Sequence, residues 1–209
     1  MAKLTKPDAT KNNILAAVRE ILLEEGYTGL YIRNIARKAK TSGKMIYYHF
    51  GSLEQLLDIY INETDYWKGL DKAFATEEFA QLRSQPKDLM THIFRAHYES
   101  FEKSEEMQKL ILWEVSKYSD SLRKDSDARE AYGERVYEIV DPIFKDKDLD
   151  FRSVSAIITA GVYYLIMHAK TNGSTFCGRD INKESDRELM LKTIDQLVDM
   201  SFKMANAKK

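Results

Sequence analysis

The 209-residue chain is poor in the residues that staple or break a fold: one cysteine, three prolines and nine glycines. A lone cysteine, Cys177, excludes an internal disulfide and a thiolate-rich zinc site, and fits a reducing, cytoplasmic setting. So few breakers exclude a disordered or fibrous chain. Long apolar runs are also missing. The longest uncharged stretch, Ser153 to Ala169, contains Ser153, Ser155, Thr159, Gly161 and His168. It is short and polar against the roughly 20 apolar residues that a membrane span needs, and reads as a buried helix. Met1 to Pro7 has no apolar run behind its lysines, so no signal peptide is expected.

Catalytic signatures are lacking too. His49, His92, His97 and His168 are preceded at three residues by Ile46, Leu89, Phe94 and Leu165, so no Glu-x-x-His pair exists for a di-iron bundle. Ser42-Gly43-Lys44-Met45 lacks both the earlier glycine and the final Ser/Thr of a phosphate loop. No catalytic residue, metal or cofactor is expected. A helical enzyme is the weakest alternative.

What is present is helical periodicity almost throughout. Ile14, Ala17, Val18, Ile21 and Leu22 form one stripe, with Asp8 placed to cap its start and Gly26 its end. Short helices are predicted over about 31–39 and 43–49. Ser52-Leu53-Glu54-Gln55 has the form of a reciprocal capping box. It opens a long helix burying Leu56, Leu57, Tyr60, Ile61, Thr64 and Trp67. Further helices are expected near 87–103, 105–118, 122–144 (with Pro142 kinking or shortening it), 151–172 and 183–205, and 171–178 as a loop. The expectation is an all-α chain: a three-helix helix-turn-helix domain over 1–51, with the motif at 31–50, and a larger helical domain over 52–209.

The net charge of −1 hides a division. Residues 1–50 carry nine Lys/Arg against four acids, and the rest carries 23 against 29. A basic head on an acidic body points to a polyanion. In the head, three helices with a four-residue turn before the third make a helix-turn-helix. Ile46 and Phe50 face inward. Thr41, Ser42, Gly43, Lys44, Met45, Tyr47, Tyr48 and His49 face out, and Arg33 lies at the exposed start of the second helix. Lysine can neutralise phosphate or donate to guanine. Tyrosine hydroxyls reach phosphates while their rings touch thymine methyls. Free N–H groups after Ser42 suit a phosphate, and Gly43 lets the backbone approach the groove.

These residues resemble the N-terminal domain of the tetracycline-repressor (TetR) family of bacterial regulators. The resemblance rests on Ile14-Leu15-Ala16-Ala17, Glu24-Glu25-Gly26-Tyr27, Ile32-Arg33-Asn34-Ile35-Ala36, Ser42, Ile46-Tyr47-Tyr48-His49-Phe50, Ser52, Glu54 and Leu56, in register over about the first 60 residues. Three departures stand out. Leu30 replaces a capping Thr or Ser, leaving Thr28 or a phosphate to serve the second helix. Lys40 replaces a turn glycine, so it must enter the left-handed region or alter the turn. Leu53 replaces a lysine that touches phosphate.

The resemblance implies a transcriptional regulator, most simply a dimeric repressor. It implies binding to a roughly palindromic operator in double-stranded DNA and release by a small-molecule effector of unknown identity. A regulator or architectural DNA-binding protein without such control is the alternative. For the body it implies a homodimer interface built from the last two helices. The candidates are Val154, Ile157, Ile158, Gly161, Val162, Leu165, Ile194, Leu197 and Val198, which otherwise read as internal core. It also implies an effector pocket, with Trp67, Phe94, His97, Tyr98, Phe101, Trp113 and Tyr137 as candidates, which otherwise read as plain core too. No membrane partner is expected.

Overall fold

The computed structural model describes residues 6–64 and 76–207. Among them are ten α-helices, which we number in chain order: α1 Lys6–Glu25, α2 Ile32–Lys38, α3 Gly43–Phe50, α4 Leu53–Glu63, α5 Glu77–Arg83, α6 Pro86–Lys103, α7 Glu105–Ser116, α8 Asp120–Phe144, α9 Phe151–Asn172 and α10 Glu184–Asn206. A 3₁₀ turn, Tyr27–Gly29, joins α1 to α2. The described residues form no strand; Phe176 and Arg179 make one isolated antiparallel bridge. No helix of the described residues is long and apolar enough to cross a membrane.

Most of these helices stand where the periodicity predicts them. The exceptions have local causes. Asp8 lies inside the first turn of α1 rather than before it. Pro142 is accommodated within α8, two residues from its end, so the helix runs through it. The capping box closes on one side only. Ser52 Oγ accepts from the Gln55 amide at 3.1 Å, but the Ser52 amide donates to the Phe50 carbonyl at 3.0 Å. The helix it opens ends at Glu63, where the Thr64 hydroxyl donates to the Tyr60 carbonyl. Trp67 lies outside the described residues. Thr28 does not cap α2, because its hydroxyl donates to the Glu25 carbonyl. Tyr31 is the residue before that helix, and no side chain caps it.

Packing groups the helices into two units. The first joins α1–α4 with α7 and the start of α8, up to Ala128. Its core holds Ile14, Val18, Ile21, Leu22, Ile35, Ile46, Phe50, Leu56 and Tyr60 together with Leu110, Trp113 and Leu122. The division expected after residue 51 is therefore not where the packing divides the chain. α4 and the segment Glu105–Ala128 complete the head's core. The roughly 50 residues of α1–α3 make only a marginal core by themselves. Glu106 is buried in this unit, accepting from the Tyr60 hydroxyl and, at 2.9 Å, from Arg19 Nε.

The second unit comprises α5, α6, the remainder of α8, α9 and α10. Leu89, Phe94, Tyr98, Phe101, Phe151, Ile158, Val162, Ile166, Ile194, Val198 and Phe202 are buried there. Phe144, Phe151 and Phe202 form an aromatic knot with ring centroids 4.6–5.3 Å apart. Arg152 holds the start of α9 to α8 through Glu134 and Asp141.

Candidate nucleic-acid interface

The third helix is positioned by what it hides. Ile46 and Phe50, one turn apart, are both buried in the first unit's core. That fixes the rotation of α3 and turns Lys44, Tyr47 and Tyr48 outward. Tyr47 and Tyr48 are 53% and 77% exposed, far beyond what a packing role needs. Ser42 caps the helix by accepting from the Met45 amide at 3.4 Å. Gly51 closes it at φ 79°. That left-handed φ strains any residue with a Cβ, so the turn into α4 favours glycine.

Gly43 has a different reason from the one its motif suggests. A Cβ there would stand 3.1 Å from Ile32 Cγ2. The small residue lets α2 and α3 approach each other and faces the neighbouring helix. Thr41 and Met45 are half-buried beside it. His49 is half-buried too, flanked by Tyr48 and Phe50 at 5.1 and 6.3 Å. Its Nε2 is shielded and without a hydrogen-bond partner. It borders an open hollow of about 470 Å³ with Gly51, Gln55, Asp58 and Ile59. Of the nine expected DNA-contacting residues, Arg33, Ser42, Lys44, Tyr47 and Tyr48 are exposed. Tyr31, half exposed just before α2, lies outside that set and is exposed as well.

The turn between α2 and α3 is a Schellman closure. The Thr41 amide donates to the Ala36 carbonyl at 2.9 Å and the Lys40 amide to the Arg37 carbonyl at 3.2 Å. This geometry places Lys40 at φ 51°, where glycine is usual. A side chain there costs about 1 kcal/mol. Leu53, in the place of the expected phosphate-touching lysine, is partly buried against the head's core, so that position serves packing.

The head's cations fall into two groups. Lys38 bonds Glu24 at 2.6 Å and lies 3.4 Å from Glu20. Those carboxylates raise its ammonium above the ordinary lysine value. Arg19 is held by Glu106, and Arg37 donates to Asn34. Asn34, buried, donates to Glu25 and to the Gly29 carbonyl. Arg33, Lys40 and Lys44 are exposed, and none of them takes part in the ion pairs of the described head.

The other expected sites are dispersed. Trp113 belongs to the first unit, stacked on Tyr27 at 5.9 Å, and not to an aromatic set with Phe94, Tyr98 and Phe101. Tyr137 lies under the Arg152 guanidinium at 4.6 Å. His97 packs against Phe101 and Tyr163. Burial, with help from Arg129, lowers its pKa to about 4. Burial and the nearby Glu102 push the Tyr98 phenol up to about 12, and its hydroxyl has no hydrogen-bond partner. An open hollow of about 760 Å³ at the α8–α9 turn involves none of the expected pocket residues.

Of the expected dimer residues, Ile158, Val162, Ile194 and Val198 are buried in the second unit's own core. Val154, Gly161 and Leu165 are half-buried, while Ile157 and Leu197 are exposed. Those two lie on the outward apolar side, with Tyr164 on α9 and Met200 and Met204 on α10.

Comparison with known proteins accords with this geometry. Residues 14–58 match the model of bacterial regulatory proteins of the tetR family. The HTH-type transcriptional repressor NicS of Pseudomonas putida is 47% identical over 49 residues, 23% of this chain and 23% of that relative's length. The fold over most of the chain is shared with two solved structures. One is a Rhodococcus sp. protein assigned to the TetR-family transcriptional regulators (TM-score 0.59, 19% identity, 92% of this chain, 98% of that one). The other is the fatty acid degradation regulator FadR of Bacillus halodurans (TM-score 0.59, 17% identity, 94% and 96%). Over residues 14–58, its helix-turn-helix segment, the chain is thus similar to the tetR family of bacterial regulatory proteins.

Proposed function

We propose that the chain is a sequence-specific, DNA-binding transcriptional regulator. In this reading a homodimer represses from a roughly palindromic operator and is released by a small-molecule effector. The observation that carries it is the outward face of α3. There Lys44, Tyr47 and Tyr48 stand clear of the core on a helix anchored by Ile46 and Phe50. A short helix so presented fits the major groove, and a twofold dimer spaces two of them by a whole turn of DNA.

The α9–α10 stripe supports the dimer. Ile157 is 73% exposed and Met204 59% exposed. Where a Cβ of Gly161 would stand, no heavy atom lies within 4 Å, leaving room for close approach by a second copy. Exposed apolar side chains repeating along two helices suit an interaction site. The second unit's buried polar groups, Tyr98 and His97 among aromatics, support an effector site lined mainly by apolar surface. A coupling of about 1–3 kcal/mol between effector and operator, roughly 5- to 150-fold in affinity, would suffice for release.

The test is selection of bound sequences from random duplexes, repeated with Tyr47→Ala. The expected result is a palindromic consensus that Tyr47→Ala loses while remaining a dimer. Selection without any consensus would leave only a non-specific DNA-binding protein.

A further inference from the structure

We propose that Lys40, in the turn between α2 and α3, is a phosphate-binding residue that this chain has placed where a glycine would fit better. The inference rests on the DNA-binding reading above and goes beyond it, since the turn is not part of the recognition helix.

Three observations meet at this residue. First, the backbone there is left-handed, with φ 51°, and the Schellman bonds from Thr41 and Lys40 hold it so. Glycine adopts that conformation freely, and a lysine does not. Second, nothing in the described head compensates the strain. The side chain is exposed, and neither an ion pair nor a hydrogen bond engages its ammonium. Lys38, two residues earlier, shows the contrast: it is tied to Glu24 and Glu20. Third, Lys40 stands two residues before Ser42, the cap of α3, and four before the exposed Lys44.

A strained, unpaired cation beside the recognition helix has a function only when a polyanion is present. A turn residue does not enter the groove with α3, so its natural target is the sugar–phosphate backbone flanking it. Such contacts fix position and carry no sequence information. Each phosphate neutralised releases counterion and adds about 0.9 to the slope of log affinity against log salt, roughly eightfold in affinity at about 0.1 M salt.

The experiment compares the full chain with Lys40→Gly, Lys40→Gln and Lys40→Arg. Thermal midpoint is measured alongside affinity for a mixed-sequence duplex over a salt series. Lys40→Gly is expected to raise the thermal midpoint and yet bind several-fold more weakly. Its salt slope should be shallower by about 0.9 per head. Lys40→Gln keeps the left-handed side chain and should match the parent in midpoint but Lys40→Gly in binding. Lys40→Arg should match the parent in both. Gain of stability with loss of affinity is an outcome that a purely structural lysine cannot give. The proposal is overturned if Lys40→Gly retains the parental affinity and slope. It is equally overturned if Lys40→Gln does so while Lys40→Gly weakens binding, because chain stiffness rather than charge then matters. If the parent itself ignores the duplex at low salt, the DNA-binding reading fails first, and the two failures are told apart.

Discussion

Helices α3 and α9 both turn aromatic and apolar side chains to the outside, yet their surroundings differ. Tyr47 and Tyr48 share the head with Lys44, Lys40 and Arg33, all exposed. Around Ile157 and Tyr164 on α9 stand Ser153, Ala156, Ala160 and Gly161, with no Asp, Glu, Lys or Arg between Arg152 and Lys170. The first set offers flat rings framed by positive charge, a surface that a polyanion can neutralise. The second offers contiguous carbon with little to repel a like surface, which suits a second copy. Exposure of hydrophobic residues is thus not one signal but two, and neighbouring charge distinguishes them.

The largest effect should follow from giving the α9–α10 face the charge it lacks. Ile157→Glu with Leu197→Glu would bury four carboxylates at a twofold interface. We expect more than about 4 kcal/mol of lost association, a thousandfold or more. Sedimentation should then report a monomer whose helical content is unchanged. A dimer surviving the double substitution would place the interface elsewhere.

A second contrast separates the polar groups that each unit buries. In the head, Glu106 is satisfied by Tyr60 and Arg19. In the second unit, His97 is held neutral, its pKa lowered to about 4 by burial and then by Arg129. Because the unfolded chain takes up that proton near pH 6.5, it binds more protons than the native state as pH falls between these values. Stability is complete above the higher value and is lost towards the lower, by about 3 kcal/mol. Urea unfolding across this window should show the slope, and His97→Gln should flatten it. An unchanged slope would assign the acid sensitivity to other groups.

Removing the head's buried carboxylate should cost somewhat less. Glu106→Ala removes a hydrogen-bond acceptor from the buried Tyr60 hydroxyl, while Arg19, more than half exposed, returns to water. The expected loss is about 2 kcal/mol of stability, read by urea unfolding at neutral pH. The smallest effect is on the recognition face itself. Lys44→Ala should weaken binding to a selected duplex by about 1.5 kcal/mol, roughly tenfold, with stability unchanged. Equal affinity would remove Lys44 from the contact surface.

The head was largely legible from its residues. Ile46 and Phe50 lie one helical turn apart, and that spacing alone fixes which side of α3 is free. Lys40 was legible as a conflict between residue and turn, and the structure resolves it as a left-handed lysine. The body was less so, for three physical reasons. α9 is apolar nearly all round, so periodicity could not say which side is core. Ile158 and Val162 went inward while Ile157 and Tyr164 went outward. Trp113 stands far along the chain from the head, yet α7 completes the head's core, because packing does not follow chain order. The seven residues of α5, Glu77–Arg83, make less than two full turns and leave no stripe to detect.

The most direct measurement is amide hydrogen exchange with and without a duplex selected by the protein. The account predicts added protection concentrated over Thr41 to His49 and at Tyr31 to Arg33, with the exposed faces of α9 and α10 unaltered by DNA. Tight DNA binding that leaves α3 exchanging as before, and instead protects another helix, would contradict it.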